Sequence, residues 1–360
     1  MNKTLSILLS TVIVFSTVTF QVESAGHYEL PEPVANNAVA IAIVNGHKTL
    51  FSFNGLGNGK TYKDVNAKAY SIDLVSGESK KLSGLPDKLG RLASIAVTVN
   101  NEIYVMGGYS VGADHSEVST PEVYRYNPKS ANYTLVSNMP TPVDDSVALV
   151  YQQRYIYLIS GWHNTDNVNL VQVYDTRENR WFEATPFPGA PVFGHAGGII
   201  GNQFLIADGV KVNGKKDGKR IYGPSDENWL AIIDKNNPAN IGWTKIKKHP
   251  HAPLYRMAAT GVEQLNQIVF AGGSDNPYNF NGIGYDGNPS KPSKKLFGFN
   301  LKTSQWIEHS ELDFASMDHR GLLVTDKAMY IVGGMGKQQR VLSEVQPIKL
   351  EKLKPVKEHQ

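Results

Sequence analysis

The chain contains no cysteine. Disulfides, thiolate nucleophiles, thiolate metal sites and a cysteine-linked lipid anchor are all excluded together, so the core must be held by burial alone. Charge of one sign is also scarce. The 36 lysines and arginines stand against 33 acidic residues, and a net +3 is too small for a dedicated nucleic-acid binder. Local basic clusters at Lys211, Lys215, Lys216, Lys219 and Arg220 and in residues 349–357 read as a solvated loop and a terminus. Helical periodicity is nearly absent, and beyond residue 20 no apolar run is long enough to cross a membrane as a helix. The one long apolar run, residues 5–20, follows Met1-Asn2-Lys3 and leads to Val22-Glu23-Ser24. This is the pattern of a secretory signal peptide cleaved after Ser24, which predicts a periplasmic or secreted protein without membrane insertion.

What is abundant is repetition. Gly107-Gly108, Tyr126-Asn127 and Tyr133 recur as Ser160-Gly161, Tyr174-Asp175 and Trp181, and again as Gly272-Gly273, Phe299-Asn300 and Trp306. In each copy the second and third marks lie seven residues apart, as expected for a strand, a tight Asx turn and the next strand. Looser copies carry Ile233-Asp234 with Trp243, and Asn54-Gly55 with Ile72-Asp73. A period of about fifty residues with four short strands per unit predicts an all-β propeller. The 33 glycines suit its many turns. The sixth copy has three strands and then only residues 351–360, expected as a flexible tail. His27-Tyr28-Glu29-Leu30 resembles the end of a complete outer strand, so the N-terminal strand is expected to close the sixth blade, giving one domain over residues 25–350.

The paired glycines, the Tyr-Asx step and the tryptophan resemble the kelch repeat across roughly residues 27–350. That resemblance implies a six-bladed propeller and leaves function open, since such propellers serve as enzymes, sugar-handling proteins and interaction platforms. Copper radical oxidases of this fold use a cysteine crosslinked to tyrosine, which this chain cannot supply. Length, leader and blade count are similar to the N-acetylneuraminate epimerases, which interconvert sialic acid anomers and carry a glutamate just after a second-strand glycine. Here Leu56, Tyr109, Trp162, Val210, Ser274 and Met335 follow those glycines, and none is glutamate.

Strand alternation brings two sets of connections to one face, and there the candidate site is expected. The first set, before the inner strands, holds Asn37, Arg91, Asp144, Asp145, His195, Arg256, His319 and Arg320. Arg91 and Arg256 each lie sixteen residues before the first residue of a glycine pair, and suit either a ligand contact or a brace between blades. The second set, after the second strands, holds Tyr109, Trp162, His163, Arg220, Tyr222, Tyr278 and neighbouring amides, and aromatic faces beside amides suit a sugar. Asp145, His195 and Arg256 are the expected catalytic group if the protein is a mutarotase. Arg91, Asp144, Tyr109, Trp162, His163, Arg220, Tyr278, His319 and Arg320 are the expected ligand contacts. No cofactor or metal is expected, and His249 and His251, flanking Pro250, read as an exposed surface pair. Three classes remain open: a binder of a carbohydrate or similar small polar ligand, a sugar mutarotase, and a platform for a protein partner.

Overall fold

The computed structural model describes residues 27–353 and is all β apart from four short 3-10 turns. Six four-stranded antiparallel sheets follow one another around a central channel. Blade 2 sets the pattern. Its inner strand Ile95–Val99 turns back into Glu102–Met106, a connection crosses the mouth of the channel, and Glu122–Asn127 and Asn132–Asn138 form the third and outer strands. The third strand ends at the Asx marked by the repeat. Asn127 Oδ1 accepts from the amides of Lys129 and Ser130 at 3.0 Å each, and Asp73, Asp175 and Asn300 do the same in their own blades. A side-chain acceptor thus replaces a backbone turn and fixes the register of the outer strand.

Blade 6 consists of Leu323–Val324, Ala328–Val332 and Glu344–Lys349, and its fourth strand comes from Tyr28–Glu29, with Tyr28 opposite Val345. The Tyr28 hydroxyl donates to the Leu74 carbonyl of blade 1 at 2.9 Å, so the same residue ties the last blade to the first. At the other end Leu353 is buried beside Leu312 and Ile348, so the chain expected to trail from residue 351 is anchored through Leu353. The leader expected at residues 1–24 and the end of the expected tail, residues 354–360, lie outside the described residues.

Six apolar clusters fill the wedges between successive blades, and a seventh lies across the mouth of the channel. The outer-strand aromatics of the repeat staple each wedge. Tyr133 donates its hydroxyl to the Ser83 carbonyl at 2.9 Å, Trp181 its indole N–H to Ser137 Oγ at 3.0 Å, and Trp306 to the Lys247 carbonyl at 2.8 Å. Each partner belongs to the preceding blade. His249, expected at the surface, is buried in one wedge, where its ring faces Asp208 at 2.8 Å and packs on Phe297 and Trp306.

Just before each inner strand, one residue per blade adopts left-handed backbone: Asn36, Ala93, Asp145, Gly194, Arg256 and Asp318, with φ between 50° and 72°. These residues are linked in a circle. The amides of Asp145, Gly194 and Arg256 donate to the carbonyls of Ala93, Asp145 and Gly194 at 2.8–3.2 Å. His319 N–H reaches Arg256 O at 3.2 Å, Asn36 N–H reaches Asp318 O at 3.1 Å, and Ala93 N–H completes the ring on Asn36 Oδ1 at 2.9 Å. One residue earlier in every blade, a β-bridge joins the chain to the residue after the second strand's turn, as in Asp144 with Trp162 and Leu92 with Tyr109. There the second of the paired glycines is indispensable. Gly108 has φ +87°, and a Cβ on it would stand 2.6 Å from the Leu92 carbonyl oxygen.

Two outcomes follow from closure. A chain beginning at Val34 loses the Tyr28–Glu29 strand and the tie to Leu74, and its unfolding free energy is expected to fall by several kcal/mol. An unchanged melting temperature would contradict closure by this strand. Tyr133→Phe, which removes one stapling hydrogen bond, is expected to cost about 1 kcal/mol in denaturant unfolding.

Candidate ligand crevice above the central channel

The seventh apolar cluster caps the ring on one side. Ala35, Leu56, Leu92, Met317 and Met335 seal the mouth over blades 6, 1 and 2. Over blades 2 to 5 the cap opens into a crevice of about 90 Å³ lined by Tyr109, Glu117, Asp144, Asp145, Trp162, Phe193, Tyr222, Arg256, Tyr278 and Tyr285. Three hairpins beyond the second strands build its rim: Tyr109–Val111 with Glu117–Ser119, Trp162–His163 with Asp166–Asn167, and Val210–Lys216 with Lys219–Pro224. The fourth wall is the connection of blade 5, residues 274–294, which contributes Tyr278 and Tyr285.

The floor is ionic. Arg256 donates Nε and Nη2 to the two oxygens of Asp145 at 3.1 and 2.5 Å and Nη1 to Asp318 at 2.8 Å, while Arg320 Nη1 pairs with the same Asp145. All four side chains are at most 3% exposed. Buried charge of this kind persists only when paired and hydrogen-bonded. Burial opposes ionisation of Asp145, yet the two guanidiniums hold its carboxyl below the ordinary range. Burial likewise opposes the charge of Arg256, and Asp145 above all keeps it protonated. Arg256 also lies against the rings of Tyr255 and Tyr278, at 4.8 and 5.4 Å, and this locks the guanidinium in place.

Two carboxyls above this floor behave differently. Asp144 is buried, accepts from Ser119 Oγ at 2.7 Å, and is raised well above the carboxylate range by burial and then by the neighbouring Asp145. Glu117 reaches solvent from within the crevice, makes no side-chain hydrogen bond among the described residues, and is raised by desolvation against the pull of Arg256. Around them stand the aromatics. Trp162 meets Phe193 edge-on at 5.5 Å and Tyr222 at 6.0 Å, Arg220 lies over the Trp162 ring at 5.3 Å, and Tyr222 stacks on Tyr285 at 4.3 Å.

Of the residues expected from the sequence, Tyr109, Asp144, Asp145, Trp162, Arg256 and Tyr278 line the crevice together, and Arg220 backs Trp162. Arg91 does not join them. Its guanidinium bonds Asp87, Glu122 and the Gly107 carbonyl, so it braces blades 1 and 2. Asn37 is turned into the blades, where it donates to Ser52 Oγ at 2.8 Å. His163 stands at the rim with Nδ1–H donating to the Pro142 carbonyl at 2.6 Å. His195, His319 and Arg320 follow ring residues by one or two positions and line the channel below the ring instead of the crevice above it. A proton-transfer role for His195 in the crevice is therefore not available. Glu117, Phe193, Tyr222, Asn279, Phe280 and Tyr285 line the crevice as well. Tyr222 stood among the loop residues expected from the sequence, while Glu117 lies in a hairpin that no repeat landmark aligns. Among the described residues no cluster of three or more metal-ligating side chains occurs.

This architecture defines a six-bladed β-propeller with a kelch motif, which matches over residues 96–140, the span of blade 2. The chain is similar to Kelch-like protein 15 of Gallus gallus, at 26% identity over 129 residues, 36% of this chain and 26% of that protein. It is similar to the Homo sapiens Kelch-like protein 15 at 21% over 244 residues, 66% of this chain and 37% of that protein. The alignments thus span between about a quarter and two fifths of the curated relatives' length. Among solved structures, that of YjhT superposes with a TM-score of 0.69 at 18% identity, covering 92% of this chain and 97% of the other, which shows a shared fold.

The buried histidines set an acid limit on stability. Burial lowers His195 from 6.5 to about 4 and His319 to about 3. A histidine kept neutral in the folded state contributes stability that is fully present above pH 6.5 and is lost as the pH falls towards the folded values, because only the unfolded chain then takes up the proton. Unfolding free energy is expected to decline between pH 6.5 and 4, and the slope in that window to flatten in His195→Gln.

Proposed function

We propose that the crevice binds a carbohydrate or similar small polar ligand by one face or end, and that the protein does so outside the cytoplasm. The observation that carries this reading is Glu117, a carboxyl without a protein partner set among Trp162, Tyr222 and Tyr285. Aromatic faces accept the C–H surface of a sugar, and an unengaged carboxyl accepts its hydroxyl protons. The crevice volume of about 90 Å³ is well below the ~300–1,000 Å³ of pockets that engulf a ligand, which favours contact with one edge. The ionic floor favours binding over floor chemistry, because Arg256 and Asp145 already satisfy one another. A broad apolar face would favour a protein partner; the opening here is narrow and mixed in polarity. The extracytoplasmic assignment rests on the leader pattern of residues 1–24 alone.

A second reading, a sugar mutarotase, is supported by the raised carboxyls of Glu117 and Asp144, which hold protons closer to neutrality than ordinary acids do. In it Glu117 exchanges protons with the anomeric hydroxyl or ring oxygen, the role first expected of Asp145 or His195.

Screening the protein against a panel of neutral and acidic sugars by thermal shift and calorimetry tests both. For the sugar that binds, Trp162→Ala is expected to weaken affinity about tenfold with folding retained, the loss expected for one stacking contact. Glu117→Gln is expected to weaken it severalfold. Absence of binding by every sugar sinks the proposal. If the wild type accelerates anomer exchange in an NMR assay and Glu117→Gln is about a hundredfold slower, the mutarotase reading replaces the binder.

A further inference from the structure

The third rim hairpin, Val210–Lys216 with Lys219–Pro224, carries five cations, Lys211, Lys215, Lys216, Lys219 and Arg220, against one acid, Asp217. Its turn is Asp217-Gly218, left-handed at both residues with φ 50° and 77°, a geometry that matches the twist of the two strands and that Asp-Gly favours. The basic cluster is thus a regular hairpin and not the solvated loop expected from the sequence. Its register sets like charges face to face: Lys215 lies opposite Arg220, and Lys216 opposite Lys219. Such pairs destabilise an antiparallel ladder. Nothing nearby offsets them. Lys215, Lys216 and Lys219 are exposed and make no ion pair among the described residues, and the acids just beyond the hairpin are engaged elsewhere, Asp226 with Lys248 and Glu227 with Lys245. A local rule broken without compensation points to function.

The hairpin leads out of the crevice. Tyr222 lines it, and Arg220, two residues away on the same strand, shares that face and lies over the Trp162 ring at 5.3 Å. Lys215, directly across from Arg220, stands on the same face, and Lys216 and Lys219 flank the turn. Three residues of extended strand carry this positive charge about 10 Å past Tyr222. A crevice of about 90 Å³ holds only one end of a ligand, and the cations lie where the rest of it emerges.

We infer that the ligand is the end of an anionic glycan chain, its terminal sugar seated against Trp162 and Tyr222 and the acidic groups of the following sugars meeting Lys215, Lys216 and Lys219. This rests on the reading of the crevice as a sugar site. Glu117 repels an anion inside the crevice, so the seated sugar offers hydroxyls and the acidic groups fall outside. A nucleic acid, with a phosphate on every unit, does not meet that division.

Calorimetry with hyaluronan oligosaccharides, in which a neutral N-acetylglucosamine alternates with a glucuronate, tests the inference, with chitin oligosaccharides of the same length as the uncharged comparison. Hyaluronan is expected to bind about tenfold more tightly than chitin, with an advantage that fades as salt is raised. The triple variant Lys215→Gln, Lys216→Gln, Lys219→Gln is expected to remove that advantage and leave chitin binding unchanged. It also relieves the cross-strand repulsion, so its melting temperature is expected to hold or rise; a lowered one would show the lysines to be structural and would overturn the inference. So would hyaluronan binding that survives the triple variant, that is undiminished in Trp162→Ala, or that a single-stranded oligonucleotide matches. If hyaluronan binds no more tightly than chitin while a sugar still binds the crevice, the chain inference alone falls. Binding by no sugar at all sinks both readings.

Discussion

The structure depends on a circle of six residues held in left-handed backbone, each linked to its neighbour around the mouth of the channel. For residues with a side chain, that conformation costs roughly 1–2 kcal/mol apiece. Five of the six, Asn36, Ala93, Asp145, Arg256 and Asp318, bear the cost, and only Gly194 escapes it. The return is closure. Each left-handed residue swings the chain from the outer rim of one blade to the inner strand of the next, while its amide, or in blade 6 that of His319, bonds the blade before. The ring thereby adds a continuous hydrogen-bonded link to the apolar wedges, edge staples and side-chain braces through which the six sheets also meet.

Because the ring fixes backbone and not side chain, its positions are open to chemistry. Blades 3, 5 and 6 place Asp145, Arg256 and Asp318 there, and the geometry of the circle makes them one network with Arg320. That network divides the molecule. Above it, aromatic hairpins and two carboxyls of raised affinity for protons surround a small crevice. Beneath it, His195, His319 and Arg320 line the end of the channel. The same Asp145 holds both halves, since both its oxygens accept from Arg256 and one of them, Oδ1, also accepts from Arg320.

Most of the fold is legible in the sequence because its landmarks are local. The Asx turns at Asp73, Asn127, Asp175 and Asn300 follow from bonds made within a few residues, and in three blades the outer-strand aromatic stands six residues beyond the Asx. The candidate site is less legible because counting from the glycine pair misleads. Arg91 and Arg256 both precede that pair by sixteen residues, yet only Arg256 lies in the ring. The turn between the first two strands of blade 2 is two residues, Asn100 and Asn101, whereas in blade 5 it is four, including a 3-10 turn at Glu263–Leu265. The two extra residues shift the count, and blade 2 places Ala93 in the ring with Arg91 outside it. His195 and Arg320 are misplaced for a related reason, since one or two steps past the ring carries a side chain from the crevice to the channel. Glu117 belongs to a hairpin absent from several blades, so no repeat comparison reaches it.

Residue-resolved hydrogen exchange tests the ring most directly. If it is the constraint on which the fold depends, the amides of Asp145, Gly194 and Arg256 should exchange only through global unfolding, with protection equal to the unfolding free energy, while the tip of the Val210–Pro224 hairpin exchanges freely. Exchange of the three ring amides at rates like those of the hairpin tip would contradict the account.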